Sequence, residues 1–200
     1  AEMLSLRALN YFYLVRAYRD VPYVTASVST DTEAKASRIA ATPGYQILDQ
    51  CIAEVEEAKA YAAKNFGAGI TNTGRFNTYS MSALLADMYL WRACLYNNIN
   101  EKKNAAGEPY VAENAEQVVT QSLQKCIEHC DIVIDRLKSE YDRKLDLQNV
   151  LENDPRRKQP FPLILNTVST MGVTIDAPYY QIFSQGNSAE SVFELQFDGV

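Results

Sequence analysis

The sequence predicts a mainly α-helical protein: irregular, tetratricopeptide-like stacked helix hairpins, closed by a loop-rich segment and a short strand at the C-terminal end. Three observations carry that prediction. Apolar residues recur at steps of three and four through four long stretches. Proline, glycine and asparagine punctuate the gaps between them. Period-two alternation appears near the end, in Val192 to Phe197.

The first helix covers residues 2–18, where Leu4, Ala8, Tyr11, Val15 and Tyr18 form one stripe. Leu6, Leu9, Phe12 and Leu14 widen it until the helix is apolar on most sides, the pattern of a buried helix. It stops before Asp20-Val21-Pro22, because proline disfavours helical geometry in the residue ahead of it. Residues 24–42 are rich in Ser, Thr and Ala without a period, and read as a surface loop. Thr42-Pro43 then offers an N-cap and a proline at the first helical position. The second stripe runs through Tyr45, Leu48, Ile52, Val55, Ala58 and Ala62, with Glu54, Glu56 and Glu57 facing solvent, and ends at the glycines 67 and 69.

After a turn at Asn72-Thr73-Gly74-Arg75, residues 78–97 form a third helix with many small residues, which let a neighbour approach closely. Residues 98–112 read as a long loop. Asn114 with Gln117 resembles a capping box. The fourth stripe, Val119 to Leu137, follows it across about six turns. Beyond Leu145 four prolines punctuate the chain, and Phe161 to Leu165 reads as a second short strand. The division this suggests is a helical hairpin scaffold over 1–140 and a loop-rich segment over 141–200. There is no clean repeat of the ~34-residue tetratricopeptide kind, so the stacking is irregular.

Composition narrows the function classes. With 200 residues, 47% of them hydrophobic, the chain can bury a sizeable core. A net charge of −6 argues against nucleic-acid binding, which needs clustered Lys and Arg. The basic run Arg156-Arg157-Lys158 between prolines reads as a solvated loop. No stretch approaches the ~18 apolar residues that span a bilayer, and no signal-peptide pattern opens the chain. Both ends look cut, so the chain reads as a piece of a longer protein with any targeting signal outside it.

The sequence carries none of the common catalytic patterns. There is no nucleophile elbow, P-loop or dinucleotide fingerprint. The single histidine, His129, reads as a half-buried surface residue. Cys51, Cys94, Cys126 and Cys130 lie on or beside apolar stripes and read as core thiols, with no metal-site spacing. Glu54, Glu56 and Glu57 crowd one helix, whereas glycosidase carboxylates face each other across a cleft. Trp91, mid-helix, reads as core. No enzyme, cofactor or metal is expected.

Several ordered segments carry a resemblance. Glu2, Leu6-Arg7-Ala8, Tyr11, Leu14 and Tyr18-Arg19-Asp20-Val21-Pro22 come first. Tyr45-Gln46-Ile47-Leu48 with Ala58, then Gly74-Arg75-Phe76 with Ala83 to Leu90, follow. Tyr179, Phe183 and Glu190 to Phe197 close the set. Together they resemble the SusD/RagB family of nutrient-binding outer-membrane lipoproteins, in family order and across nearly the whole chain. Arg19 stands where the family has glycine, and Glu54-Val55-Glu56 where it has Asp-Leu. Arg7, on an apolar helix, is expected to reach a carboxylate or helix-end carbonyls, since a buried charge must be paired.

The resemblance implies capture of an oligosaccharide, or a peptide, at the outer-membrane surface. It also implies delivery to a TonB-dependent transporter barrel and a lipid anchor outside this piece. It carries over no ligand contact. From residue type and place, aromatic platforms and amides that suit a sugar are Tyr110, Tyr179 and Tyr180, with Asn97-Asn98 at a helix end and Asn97 foremost of the two. The alternative reading is a tetratricopeptide-type adaptor recognising peptide segments.

Overall fold

The computed structural model describes residues 1–36, 39–67, 70–158, 167–168, 174–176 and 191–195. The protein is mainly helical, as the apolar periodicity predicts. The helices are α1 (Glu2–Tyr18), α2 (Asp31–Ala36), α3 (Gly44–Lys59), α4 (Ile70–Thr73), α5 (Thr78–Tyr96) and α6 (Ala115–Leu147). Short 3₁₀ turns cover Ile99–Glu101 and Pro155–Lys158. Strands β1 (Thr167–Val168) and β2 (Thr174–Asp176) pair antiparallel. The alternating run near the end is described only through Leu195, where it forms no strand; Phe161 to Leu165 lies outside the described residues. No helix among the described residues is long and apolar enough to cross a membrane.

The chain forms two compact units. One comprises Ala1–Tyr61 with Leu84–Glu128, the other Ala62–Ala83 with His129–Val200.

In the first unit α1 and α3 pack as an antiparallel hairpin. Arg7, early in α1, meets Glu54, late in α3, at 2.6 Å. At the other end Gly44, the first residue of α3, sits against Val15 and the Arg19 carbonyl. Phe12, Val15, Ile47, Leu48, Cys51 and Val55 are buried between them. The expected partner for Arg7 is thus a carboxylate, and Glu54 is half-buried rather than solvent-facing. Glu56 likewise turns inward and accepts the Tyr89 hydroxyl at 3.1 Å. From α5, Arg92 donates to Asp49 at 2.5 Å and to Ser122 of α6 at 3.1 Å, tying three helices at one guanidinium. Trp91 is half-buried, edge-on to Phe12 and under the Arg16 guanidinium.

The cap of α3 differs from expectation. Pro43, at φ −55° and ψ 134°, occupies the N-cap itself. With no side-chain oxygen there, the Gly44 N–H donates to Asp20 at 3.0 Å, from a residue 24 positions earlier. Asp20 can reach because the chain reverses sharply after α1. Arg19 holds φ 68° and ψ −77°, and the Asp20 N–H donates back to the Tyr18 carbonyl at 3.0 Å. That is a γ-turn of the rare, strained hand.

In the second unit Asn77 caps α5. Its side-chain oxygen accepts the N–H groups of Tyr79 and Ser80, both at 2.9 Å. The Ser80 hydroxyl in turn accepts the Asn77 N–H at 2.8 Å, a reciprocal capping box with serine in the third position. Asn77 also donates to Asn72, which accepts the Phe66 N–H, so the buried amides are satisfied by one another and by backbone. Phe76 stacks on Phe193 with centroids 4.3 Å apart.

The helix α6 runs ten residues past the Leu137 limit of the sequence stripe, to Leu147. Its end is a Schellman motif: the Val150 N–H reaches the Leu145 carbonyl and the Asn149 N–H that of Asp146, with Asn149 left-handed at φ 52°. Arg157 clamps this end, donating to the Val150 carbonyl at 2.8 Å and to Asp146 at 2.6 Å. It is therefore a structural group rather than part of a solvated run. At the start of α6, Asn114 is left-handed at φ 54°, outside the extended geometry an N-cap adopts. His129 is buried, whereas Cys94 and Cys130 are exposed, contrary to the core reading of those thiols; Cys51 is buried and Cys126 half-buried.

Candidate functional site

The end of α5, the 3₁₀ turn that follows it and the first turns of α6 enclose a groove of about 400 Å³ in the first unit. Its floor is apolar: Tyr96, Ile99, Ala115 and Val119. Its rim is Asn97, Asn98, Asn100, Glu101, Glu116 and Thr120. This arrangement follows from how the chain leaves α5. Asn98 adopts the left-handed region at φ 54°, which asparagine tolerates, and starts the turn Ile99–Glu101. Ile99 is thereby buried while the amides on either side of it are exposed. Asn100 is anchored, pairing with Ala112 through its carbonyl oxygen at 2.9 Å and its amide nitrogen at 3.2 Å.

Beneath the floor lies a cluster of three tyrosines. The Tyr45 ring meets Tyr96 edge-on at 5.2 Å and Tyr110 at 5.9 Å, an arrangement aromatic quadrupoles favour. Each hydroxyl has a partner. Tyr96 donates to Asp49 at 2.6 Å, Tyr110 to Asp20 at 2.6 Å and Tyr45 to the Val111 carbonyl at 3.2 Å. Burial, reinforced by the Asp20 carboxylate, pushes the Tyr110 hydroxyl up to about 12. Burial and Asp49 push Tyr96 in the same direction.

The residues singled out by sequence are thus placed differently from one another. Asn97 is exposed on the groove rim. Tyr110 is only 8% exposed and packs in the cluster below, so it supports the groove rather than presenting an open ring. Tyr179 and Tyr180 lie outside the described residues. Asn98 is likewise exposed on the rim, and Asn100, Glu101, Glu116 and Thr120, which the sequence alone does not single out, complete it. The dense amides of Asn97-Asn98-Ile99-Asn100 were the available signal.

No family model matches the chain, and no curated protein does. Among solved structures it is similar to a SusD-like carbohydrate binding protein from Bacteroides fragilis, at 25% identity and a TM-score of 0.39. That similarity covers 50% of this chain and 20% of that one, so the chain spans about a fifth of the other protein's length.

Chemically, the groove offers amides that both donate and accept, carboxylates that accept, and an apolar floor. None of its lining groups is cationic. Among the described residues there is also no group of three His, Cys, Asp or Glu side chains that could hold a metal ion. The groove is suited to holding a neutral, hydroxyl-rich molecule.

Proposed function

We propose that this chain is the helical scaffold of a SusD-like nutrient-binding protein, which captures an oligosaccharide without transforming it. In this reading it works at the outer-membrane surface, held by a lipid anchor outside this piece, and passes its ligand to a TonB-dependent transporter barrel. The observation that carries the reading is the groove at the end of α5. Its amide and carboxylate rim over an apolar floor is what a sugar needs: hydrogen bonds for the hydroxyls and contact for the C–H faces. The ordered segments that resemble the family support it from the sequence side. Arg7 and Asp20, in the first of those segments, contact Glu54, Gly44 and Tyr110, which lie far along the sequence, as scaffold residues would.

Isothermal titration of the chain against neutral oligosaccharides and unrelated peptides tests the proposal. A neutral glycan should bind, and Asn97→Ala should weaken it about tenfold, the order of one or two lost hydrogen bonds. Binding confined to peptides would favour the adaptor reading instead. Binding of no glycan would sink the proposal.

A further inference from the structure

The second unit carries another groove, of about 510 Å³, within the range of small-molecule sites, ~300–1,000 Å³. Its chemistry differs from that of the first. One wall is a single face of α6: Asp135, Arg136, Ser139, Glu140 and Arg143 recur at helical spacing. Lys64 and Tyr79 stand with them.

The charges in this groove are not equivalent. Arg136 lies over the Tyr79 ring, 4.6 Å from its centroid, and pairs with Glu140 at 2.8 Å. Its side chain is only 12% exposed, so this pair is built into the wall and its charge is already compensated. Lys64 and Arg143, by contrast, are exposed and have no ion-pair partner among the described residues. The one further charge in the lining is the exposed carboxylate of Asp135. Two uncompensated cations against one carboxylate leave the groove net positive, in a chain whose net charge is −6. A zwitterion would match one cation and one anion; this excess matches a ligand with a surplus negative charge.

We infer that this groove is a subsite for the carboxylate of an acidic saccharide, a uronate, with Lys64 and Arg143 as the anion-recognising groups. The inference rests on the saccharide-binding reading above and adds the ligand's charge. Arg143 and Lys64 hold the carboxylate, Arg143 with the forked geometry that suits it. The Asp135 and Ser139 oxygens are within the same lining to accept hydroxyls of the sugar. The Arg136–Glu140 pair stiffens the wall on which these groups stand.

The test compares a galacturonic acid trimer with its neutral galactose counterpart by titration calorimetry, on the whole chain, with inorganic phosphate as a control. The acidic trimer should bind more tightly than the neutral one and weaken as salt is raised. Lys64→Gln and Arg143→Gln should each weaken the acidic trimer about tenfold and leave the neutral trimer unchanged. Both residues are exposed, so thermal melts of the variants should match the parent. Three results would overturn the inference and leave the saccharide-binding reading standing. These are preference for the neutral trimer, acidic binding indifferent to both substitutions, and phosphate competing as strongly as the uronate. Binding of neither trimer nor any other glycan would overturn both.

Discussion

The Tyr110 hydroxyl donates to the Asp20 carboxylate at 2.6 Å across 90 positions of sequence, and the other oxygen of that carboxylate accepts the Gly44 N–H. One side chain therefore fixes the end of α1, the start of α3 and the loop that underlies the groove. Removing it should be felt at all three. Asp20→Ala is expected to cost about 3 kcal/mol in urea unfolding, two charge-assisted hydrogen bonds partly offset by water. Tyr110→Phe should cost about 1–2 kcal/mol in the parent and little in the Asp20→Ala background. Equal costs in both backgrounds would show that the two residues are not coupled.

The same pair sets an alkaline limit. Folding raises the Tyr110 hydroxyl from 10.0 to about 12, so between those values the unfolded chain releases a proton that the folded chain keeps. Stability must then fall as pH rises through that window, while below it the contribution is fully present. Tyr23, Tyr89 and Tyr96 are shifted the same way, each chiefly by burial, and steepen the fall. Phenolate absorbance followed together with circular dichroism should show these tyrosines ionising with unfolding. Smooth ionisation near the ordinary value in a folded chain would contradict this.

Arg19 holds φ 68° with ψ −77°, a conformation that L side chains rarely adopt. Arg19→Gly should therefore stabilise the chain by about 1 kcal/mol, strain relief of ~1–3 kcal/mol less the entropy glycine adds to the unfolded state. Arg19→Ala keeps the Cβ and should give no such gain. A destabilised glycine variant would mean that the arginine side chain matters more than its backbone.

Gly44 responds in the opposite sense. A Cβ there would stand 2.4 Å from the Arg19 carbonyl oxygen and 3.0 Å from a Val15 methyl. Backbone cannot yield as a flexible side chain does, so Gly44→Ala should cost about 3 kcal/mol. Its effect should not add to that of Arg19→Gly, because the two positions are in contact.

These residues also mark what could be seen in the sequence. The bounds of α1 and α5 follow from local signals, an apolar stripe bounded by breakers, and the structure agrees with them to within about a residue. The end of α6 depends on Asn149 adopting the left-handed region, a backbone choice that the thinning apolar pattern does not announce. The cap of α3 comes from Asp20, and no window of neighbouring residues contains it. The burial of the Tyr110 ring has the same non-local origin: Tyr45 and Asp20, far earlier in the chain, hold its ring and hydroxyl. The exposure of Asn97, by contrast, follows from a local feature, a polar amide at a helix end.

The four thiols give a last check on which face of each helix is buried. Cys94 and Cys130 lie on apolar-looking stripes yet are exposed, because the stripes of α5 and α6 are wider than the faces they bury. Cys51 lies fully inside, against Tyr23 and Glu54, and burial pushes its thiol up to about 11. Only the thiolate reacts with a disulfide reagent, so reactivity should follow exposure and ionisation together. Ellman titration of the native chain should label Cys94 and Cys130 quickly, Cys126 more slowly, and Cys51 only as the chain unfolds. Replacing both exposed cysteines by serine should remove the fast phase with less than about 0.5 kcal/mol change in stability, as for surface positions in general. A fast phase that survives the double substitution and is lost only when Cys51 is also replaced would place Cys51 in contact with solvent and undo the packing of α3 against α1 described above.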